Sequence, residues 1–347
     1  MGGYIIDTYS LMELTIRSVE DKDRWEEFVL RYSPVSLFQS WDWGSVQEKL
    51  GMSLWRIGLY EGAILVGVAQ IIKVRAKRGT FLHIRHGPIF AIQCTEYWNA
   101  MFSYCVTLAH KENAWFIRVS PLLENSISIN ILFSSLRLRP SPIHAMDAER
   151  SWVLDITASD DELLSGMRKS TRYDIRKAEK TGVAVSFSMH EEDIPRFLEL
   201  YTRTSGRHDF VPHTGIVEEF AVFVRTGNAL LLFGCYNGEL LAGALILFYG
   251  NQAIYHHGGS TSSHVPVSAL VQWSAILEAK KRGKSVYNFW GIAPENTPKH
   301  PWNGITLFKK GFGGRQVTYV HAHDLVVHPF YLISYGIEKV RKARKGY

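Results

Sequence analysis

The chain lacks most of the features that would assign it at sight. Its three cysteines, Cys94, Cys105 and Cys235, are scattered with no CxxC spacing. Neither a metal site nor a disulfide framework follows, and a reducing cytoplasm is the expected home. No uninterrupted apolar run approaches the roughly 20 residues of a bilayer span. Residues 1–13 have no basic first stretch and no long apolar one, so a secretory signal is not expected there. A strong excess of one charge is missing as well, since 39 Lys+Arg face 33 Asp+Glu for a net +6. That mild basicity suits an anionic partner such as a nucleotide, a tRNA or an anionic lipid without requiring one. No Ser/His/Asp or Cys/His set is evident. The fourteen histidines include His256-His257 and His321-x-His323, but neither pair has a third ligand at convincing spacing, so no metal is expected. No coiled-coil heptad run suggests a dimer, and a monomer is expected.

What is present is material for a large core. Hydrophobic residues make up 46% and aromatic residues 13% of 347, which excludes a largely disordered chain and is enough for two domains. Strand patterns fall at 14–19, 54–60, 64–74, 81–85 and 115–119, interleaved with helical ones at 21–32, from Ser40 to near Gly51, at 96–110 and at 125–136. The second half has strands at 152–156, 184–187, 229–236, 240–248, 252–257 and 286–292. Its helices are expected at 160–167, 170–180, 193–205, 216–225 and 267–282. The last helix-like stretch, 335–345, is rich in Lys and Arg. It is either a solvated tail or a surface for phosphate or an anionic membrane face.

Two parts of this pattern repeat. Gly58, Tyr60, Gly62, Leu65 and Gly67 reappear as Gly234, Tyr236, Gly238, Leu241 and Gly243, each displaced by 176 positions. The third strand of each copy ends in His-Gly, at His86-Gly87 and His257-Gly258. Five matches at one offset imply two similar domains, expected over 1–150 and 151–330 with a basic tail at 331–347. Each copy orders strand, helix, helix, three meandering strands, helix, strand. The resemblance is to the GNAT acetyltransferase-like fold, present twice: tandem α/β (α+β) domains whose mixed, mainly antiparallel sheets are flanked by helices. That fold normally carries a basic, glycine-spaced pyrophosphate loop. The matching place reads Gly259 to Pro266 with no Arg, Lys or Gln and no second spaced glycine, so coenzyme A binding in the usual way is not expected.

Two stretches carry the chemistry. In the first, strand-like Val286 to Ile292 is followed by Gly304-Ile305-Thr306-Leu307-Phe308-Lys309-Lys310-Gly311-Phe312-Gly313-Gly314. Glycines allow close backbone approach, aromatics give flat walls, and a lysine among apolar neighbours concentrates positive charge. The plainer reading is a strand, a turn and a half-buried snorkelling lysine. In the second, Arg172 and Arg176 lie at i,i+4 near a helix start with Ser170 and Tyr173. That layout suits a phosphate, or else it is a solvated basic face.

Together, the Lys-x-x-Arg-x-x-Ile-Arg-Lys-Ala-x-x-x-Gly run from Lys169, Ala269 to Trp273, Tyr-x-Phe-x-Gly-Ile and Phe-Lys-x-Gly-Phe-Gly-Gly resemble the Fem family of peptidoglycan interpeptide-bridge aminoacyltransferases. The likeness runs from Phe38 to about Asp324. It implies a double-GNAT enzyme that moves an amino acid from aminoacyl-tRNA, as co-substrate with no other cofactor, onto an amine of a UDP-linked or lipid-linked muramyl stem peptide. Carried across, Arg172 with Ser170 holds the precursor's phosphates, and Lys309, after Phe308, stabilises charge at the transferred ester. Trp43, Gln47, Lys49, Tyr173, Arg176, Tyr255 and Trp290 are further candidates for substrate binding. Two positions depart from the family pattern. Gln47 stands where a lysine is common, with Lys49 two residues on, and Asn288 replaces the aspartate of Tyr-Asp-Phe. The long helical arm of some members is missing, so no coiled-coil arm is expected. The rivals are an acyl-CoA-dependent N-acyltransferase of the same fold and a non-catalytic protein that binds tRNA or anionic lipid.

Overall fold

Short-range signals become elements where the residues require it. Asp21 caps the first helix by accepting from the Arg24 amide, Ser40 caps the second from Trp43, and Ser159 with Glu162 forms a reciprocal capping box. Asn237 and Gly238 both take positive φ, 50° and 81°, as the tight hairpin turn there demands. The computed structural model describes residues 13–208, 212–298 and 300–345. The stretch for which no secretory signal is expected lies, but for Glu13, outside the described residues.

In chain order the strands are β1 (Leu14–Ser18), β2 (Leu54–Glu61), β3 (Ile64–Ala76), β4 (Gly79–Arg85), β5 (Ile89–Phe90), β6 (Phe116–Ser120) and β7 (Arg139–Pro140), then β8 (Arg150–Asp155), β9 (Ala184–Ser188), β10 (Ala229–Tyr236), β11 (Glu239–Tyr249), β12 (Gln252–Ser260), β13 (Val286–Gly291), β14 (Arg315–Thr318) and β15 (His323–Val326). The helices are α1 (Lys22–Tyr32), α2 (Trp41–Lys49), α3 (Thr95–Lys111), α4 (Ile127–Ser135), α5 (Asp160–Gly166), α6 (Lys169–Thr181), α7 (Ile194–His208), α8 (Ile216–Arg225), α9 (Val267–Lys281), α10 (Asn303–Lys310) and α11 (Tyr331–Lys345).

The repeat seen in the sequence is a repeat of sheets. One sheet runs β1-β2-β3-β4-β6-β15-β7, with β5 added beside β3, and the other runs β9-β10-β11-β12-β13-β8-β14. Every neighbouring pair is antiparallel except β4 with β6 and β12 with β13, the equivalent places in the two orders. Each is a mixed, mainly antiparallel sheet with one parallel seam, as the tandem GNAT resemblance implies. The sixth place of the second sheet is filled by β8, the first strand of its own half, whereas the sixth place of the first sheet is filled by β15, which comes from the second half. β15 and α11 therefore belong with the first sheet, although β15 falls within 151–330. Buried Arg118 on β6 bonds Asp324 of β15 at 2.7 Å and Glu338 of α11 at 2.7 Å, locking the returning segment in place.

Three large cores result. One packs α3 and α4 on the first sheet, and one packs α6 and α9 on the second. The third is shared between the halves: Trp25, Phe28, Phe38 and Trp43 meet Phe197, Phe220, Leu231, Leu245 and Ile254. Beside that shared core a small cleft lies between the halves, lined by His86, Ser151, Asn288, Trp290 and Tyr319 among others. Among the described residues no helix is long and apolar enough to cross a membrane.

Candidate active site

Strand β13 reads VYNFWG, and its alternation sends Tyr287 and Phe289 into the second-half core with Phe312. Asn288 and Trp290 face the other way, toward the first half. Pairing with β12 covers only Gln252–Ile254 against Val286–Asn288, after which the strands part. At that point Asn288 acts as a hook. Its Nδ2 donates to Gln252 Oε1 at 3.0 Å and its Oδ1 accepts from the Trp290 amide at 2.8 Å. The bond holds Trp290 at φ 66°, a left-handed conformation that costs a bulky side chain roughly 1–3 kcal/mol unless its surroundings enforce it. The indole is thereby turned against Phe38 at 5.6 Å, His86 at 6.0 Å and His256 at 5.6 Å between ring centroids. Trp43 joins through Phe38 at 4.4 Å and His256 at 6.0 Å. An aromatic wall is drawn from both halves: His86 and Trp290 line the cleft, and buried Phe38 and Trp43 stand behind them.

One residue beyond Trp290, the Gly291 carbonyl accepts from Lys309 Nζ at 2.6 Å. Helix α10 is held there by a second bond, from the Ala293 amide to Thr306 Oγ1 at 2.8 Å. Lys309 is 7% exposed, and among the described residues no carboxylate pairs with it. Burial pushes its ammonium down to about 7, because a desolvated cation without a counter-charge favours the neutral form. Such an amine holds or releases a proton near neutral pH. The glycines that follow serve close packing: a Cβ at Gly314 would lie 2.3 Å from the Val153 carbonyl oxygen.

The two stretches singled out in the sequence touch. The Arg168 amide donates to the Gly311 carbonyl at 2.9 Å, and Thr171 lies against Gly311, so α6 starts where α10 ends. The expected phosphate fork is altered. Nη1 of Arg172 donates to the Ser165 carbonyl at 2.9 Å and to Met167 as well, because the end of α5 leaves carbonyls without helical partners. Arg172 and Arg176 line one open surface pocket with Asp161, Leu164 and Ser165. Ser170 is exposed beside them, and Tyr173 is 64% exposed.

The other candidates separate. Gln47 is buried on α2 one turn after Trp43, whereas Lys49 is exposed at the end of that helix. Among the described residues no hydrogen bond or ring contact joins Lys49 to the cleft. Tyr255 and Phe308 lean on the second-half core, on the opposite side of β12 and β13 from the wall. Burial raises the Tyr255 hydroxyl well above its usual range. His86 was visible in the sequence only as the end of a repeat. In the fold its ring lies on the wall, and burial pushes it down to about 4. Asp147, which no motif marked, closes the equivalent point of the first half.

The start of α9 is the place where a coenzyme's pyrophosphate would bind in a GNAT domain. There the Val265 amide bonds Ser263 Oγ at 3.1 Å, Val267 bonds the Val265 carbonyl, and Ala269 bonds the Pro266 carbonyl. Val265 and Val267 are buried, which leaves an apolar, internally bonded helix start instead of an anion cradle.

Solved structures with this arrangement include FemX, with a TM-score of 0.81 at 18% identity over 92% of this chain and 99% of that one. A tandem GNAT protein from the clavulanic acid biosynthesis pathway matches at TM-score 0.55 and 11% identity, over 91% and 99% of the two chains. Both likenesses concern the fold. In sequence, the chain is similar to the aminoacyltransferase FemA of Staphylococcus aureus (strain bovine RF122 / ET3-1), 29% identical over 93 residues. That match spans 26% of this chain and 22% of FemA, about a fifth of the relative. FemA of strain NCTC 8325 / PS 47 matches to the same extent. The model of the FemAB family matches residues 21–129, 144–215 and 236–339, most of the length and both halves. The chain belongs to the FemAB family.

Proposed function

We propose that the protein is an aminoacyltransferase that moves an amino acid from aminoacyl-tRNA to an amine of a peptidoglycan precursor's stem peptide, forming an interpeptide bridge in the cytoplasm. The observation that carries this reading is Lys309, buried without a counter-charge and bonded to the strand that bears the aromatic wall. In the transfer, the acceptor amine attacks the ester carbonyl carbon, a C–N bond forms, and the C–O bond to the ribose breaks. Lys309 in its protonated form stabilises the developing oxyanion and gives its proton to the departing ribose oxygen, and the proton lost by the attacking amine restores it. Most of the rate comes from holding amine and ester together in the cleft, and a positioned cation contributes roughly 10²–10³-fold. Half-buried Trp290 provides flat apolar surface for the substrates, backed by buried Phe38 and Trp43. The Arg172–Arg176 pocket is the candidate seat for the precursor's phosphates, through Arg176 and the face of Arg172 not turned to the α5 carbonyls.

Helix α11 bears on the acceptor. It buries Tyr331, Ser334 and Glu338 against the first sheet, and it exposes Leu332 (67%), Ile333 (52%) and Val340 (51%) beside Lys339, Arg341 and Lys342. Apolar and basic groups on one open face suit the surface of an anionic bilayer. We assign this helix a peripheral contact with the inner membrane face, which favours a lipid-linked precursor over a UDP-linked one. Retention on phosphatidylglycerol vesicles, lost on replacing Leu332 and Ile333 by Asp, is the expected result.

The decisive experiment supplies a pool of radiolabelled aminoacyl-tRNAs with UDP-muramyl pentapeptide or lipid II, and runs acetyl-CoA with the same acceptors in parallel. Label passing from tRNA to the peptide is expected. Acylation from the coenzyme alone would overturn the reading.

A further inference from the structure

His256-His257, set aside as metal ligands in the sequence for want of a third, gain two companions in the fold. Both histidines lie on β12 beyond its parting from β13. Glu219 comes from the first turns of α8 and His213 from the loop before that helix. His213 Nε2 lies 2.7 Å from Glu219 Oε1, and His256 and His257 Nε2 lie 3.1 and 3.2 Å from Oε2. The ligand atoms of His213, Glu219 and His257 all fall within 4.8 Å of one another. Bonds of about 2.0–2.1 Å to a tetrahedral ion put neighbouring ligand atoms roughly 3.3 Å apart. The carboxylate–imidazole separations already stand close to that edge.

Three further features point the same way. Glu219 is 1% exposed, and a buried carboxylate needs compensation by hydrogen-bonded or positive groups. The His256 side chain is 5% exposed and its Nδ1 has no hydrogen-bond partner, so the bonds within the cluster leave it incompletely satisfied. The His213 side chain is 42% exposed, which gives an ion a way in and leaves a coordination position for water.

We propose that His213, Glu219 and His257 form a binding site for a divalent transition cation of the zinc class, with His256 bonding the same carboxylate from beside it. Imidazole and carboxylate donors in compact geometry favour zinc or cobalt over calcium or magnesium. Such an ion ties α8 to β12. Through His256, whose ring meets both Trp290 and Trp43, it fixes the second-half side of the aromatic wall.

The test uses the full chain, stripped with a chelator and titrated with zinc chloride by calorimetry and with cobalt chloride by visible absorption. One equivalent of zinc, the intense visible bands of four-coordinate cobalt and a zinc-dependent rise in melting temperature are expected. His213→Ala, on an exposed loop, weakens binding tenfold or more with an unchanged circular dichroism spectrum, and Glu219→Gln does the same if it folds. Absence of saturable binding below about 100 µM overturns the proposal, as does binding by His213→Ala and His257→Ala as tight as by the unsubstituted chain. None of these readouts depends on amino acid transfer.

Discussion

Each half of the molecule buries cations at its parallel seam, and the two halves handle them in opposite ways. In the first half the β4–β6 seam stays paired from Leu82–Ile117 to Arg85–Ser120, and its end is closed by Asp147. That carboxylate takes Arg85 at 2.6 Å and the Ser120 hydroxyl at 2.8 Å. Burial alone would raise its pKa, but the Arg85 guanidinium and His83 hold it well below the usual range. Arg118, deeper in the same sheet, has two carboxylates of its own. In the second half the β12–β13 seam parts early, and among the described residues Lys309 has only a carbonyl. A buried cation with partners holds a structure together, whereas one without them is set to exchange a proton.

Removing the two cations should therefore have opposite consequences. Arg118→Met leaves buried Asp324 without a cation and Glu338 with Arg78 alone, and about 3–5 kcal/mol of stability is lost, readable as a fall in the urea midpoint at unchanged slope. Lys309→Met removes a desolvated charge instead. Transfer falls roughly 10²–10³-fold while the melting temperature holds or rises. A destabilised, still active Lys309→Met would reverse the assignment of roles.

A smaller effect tests the hook that sets the wall. Asn288→Asp restores the family's residue but removes the Nδ2 donor to Gln252. It leaves a buried acceptor facing another, for a loss of about 1–3 kcal/mol, measured by thermal unfolding near neutral pH. A further effect is a slope with pH. The folded pKa of Lys309, about 7, lies below its ordinary 10.5, so between those values the unfolded chain holds more protons than the native one. Stability of the natural protein relative to Lys309→Met climbs with pH across that window by up to about 1.4 kcal/mol per unit. Below it the difference is constant. A flat difference from pH 7 to 10 would mean that Lys309 is not desolvated.

Much of this contrast was legible in the chain. The 176-residue displacement revealed two like sheets because glycines and tyrosines at hairpins report local geometry. Ser40, where the second helical stretch begins, placed a helix end for the same reason. Lys309 was marked by its apolar, glycine-rich surroundings. Long-range features were not legible. Arg172 was read as a free fork, and only the fold shows α5 ending within reach of its Nη1. Glu219 sits in an ordinary amphipathic helix pattern, and nothing local links it to histidines on β12. Asp147 lies in a loop, where its contacts depend on strands 62 residues away. The exchange of β15 from the second half into the first sheet is invisible to periodicity, because a four-residue strand reads alike whichever sheet it joins.

That exchange bears on how the protein comes into being. The first half is made first, yet the slot between β6 and β7 waits for β15, and the salt bridge that seals it joins residues 206 positions apart. Contacts this distant in sequence form late, and sheets left with an open edge meanwhile are prone to pair with the wrong strand. During synthesis the second half can therefore close its sheet, with β8 made early, while the first still holds a vacant place. A nascent chain halted before Asp324 would carry a finished second half and an unfinished first one. The order of completion is thus the reverse of the order of translation.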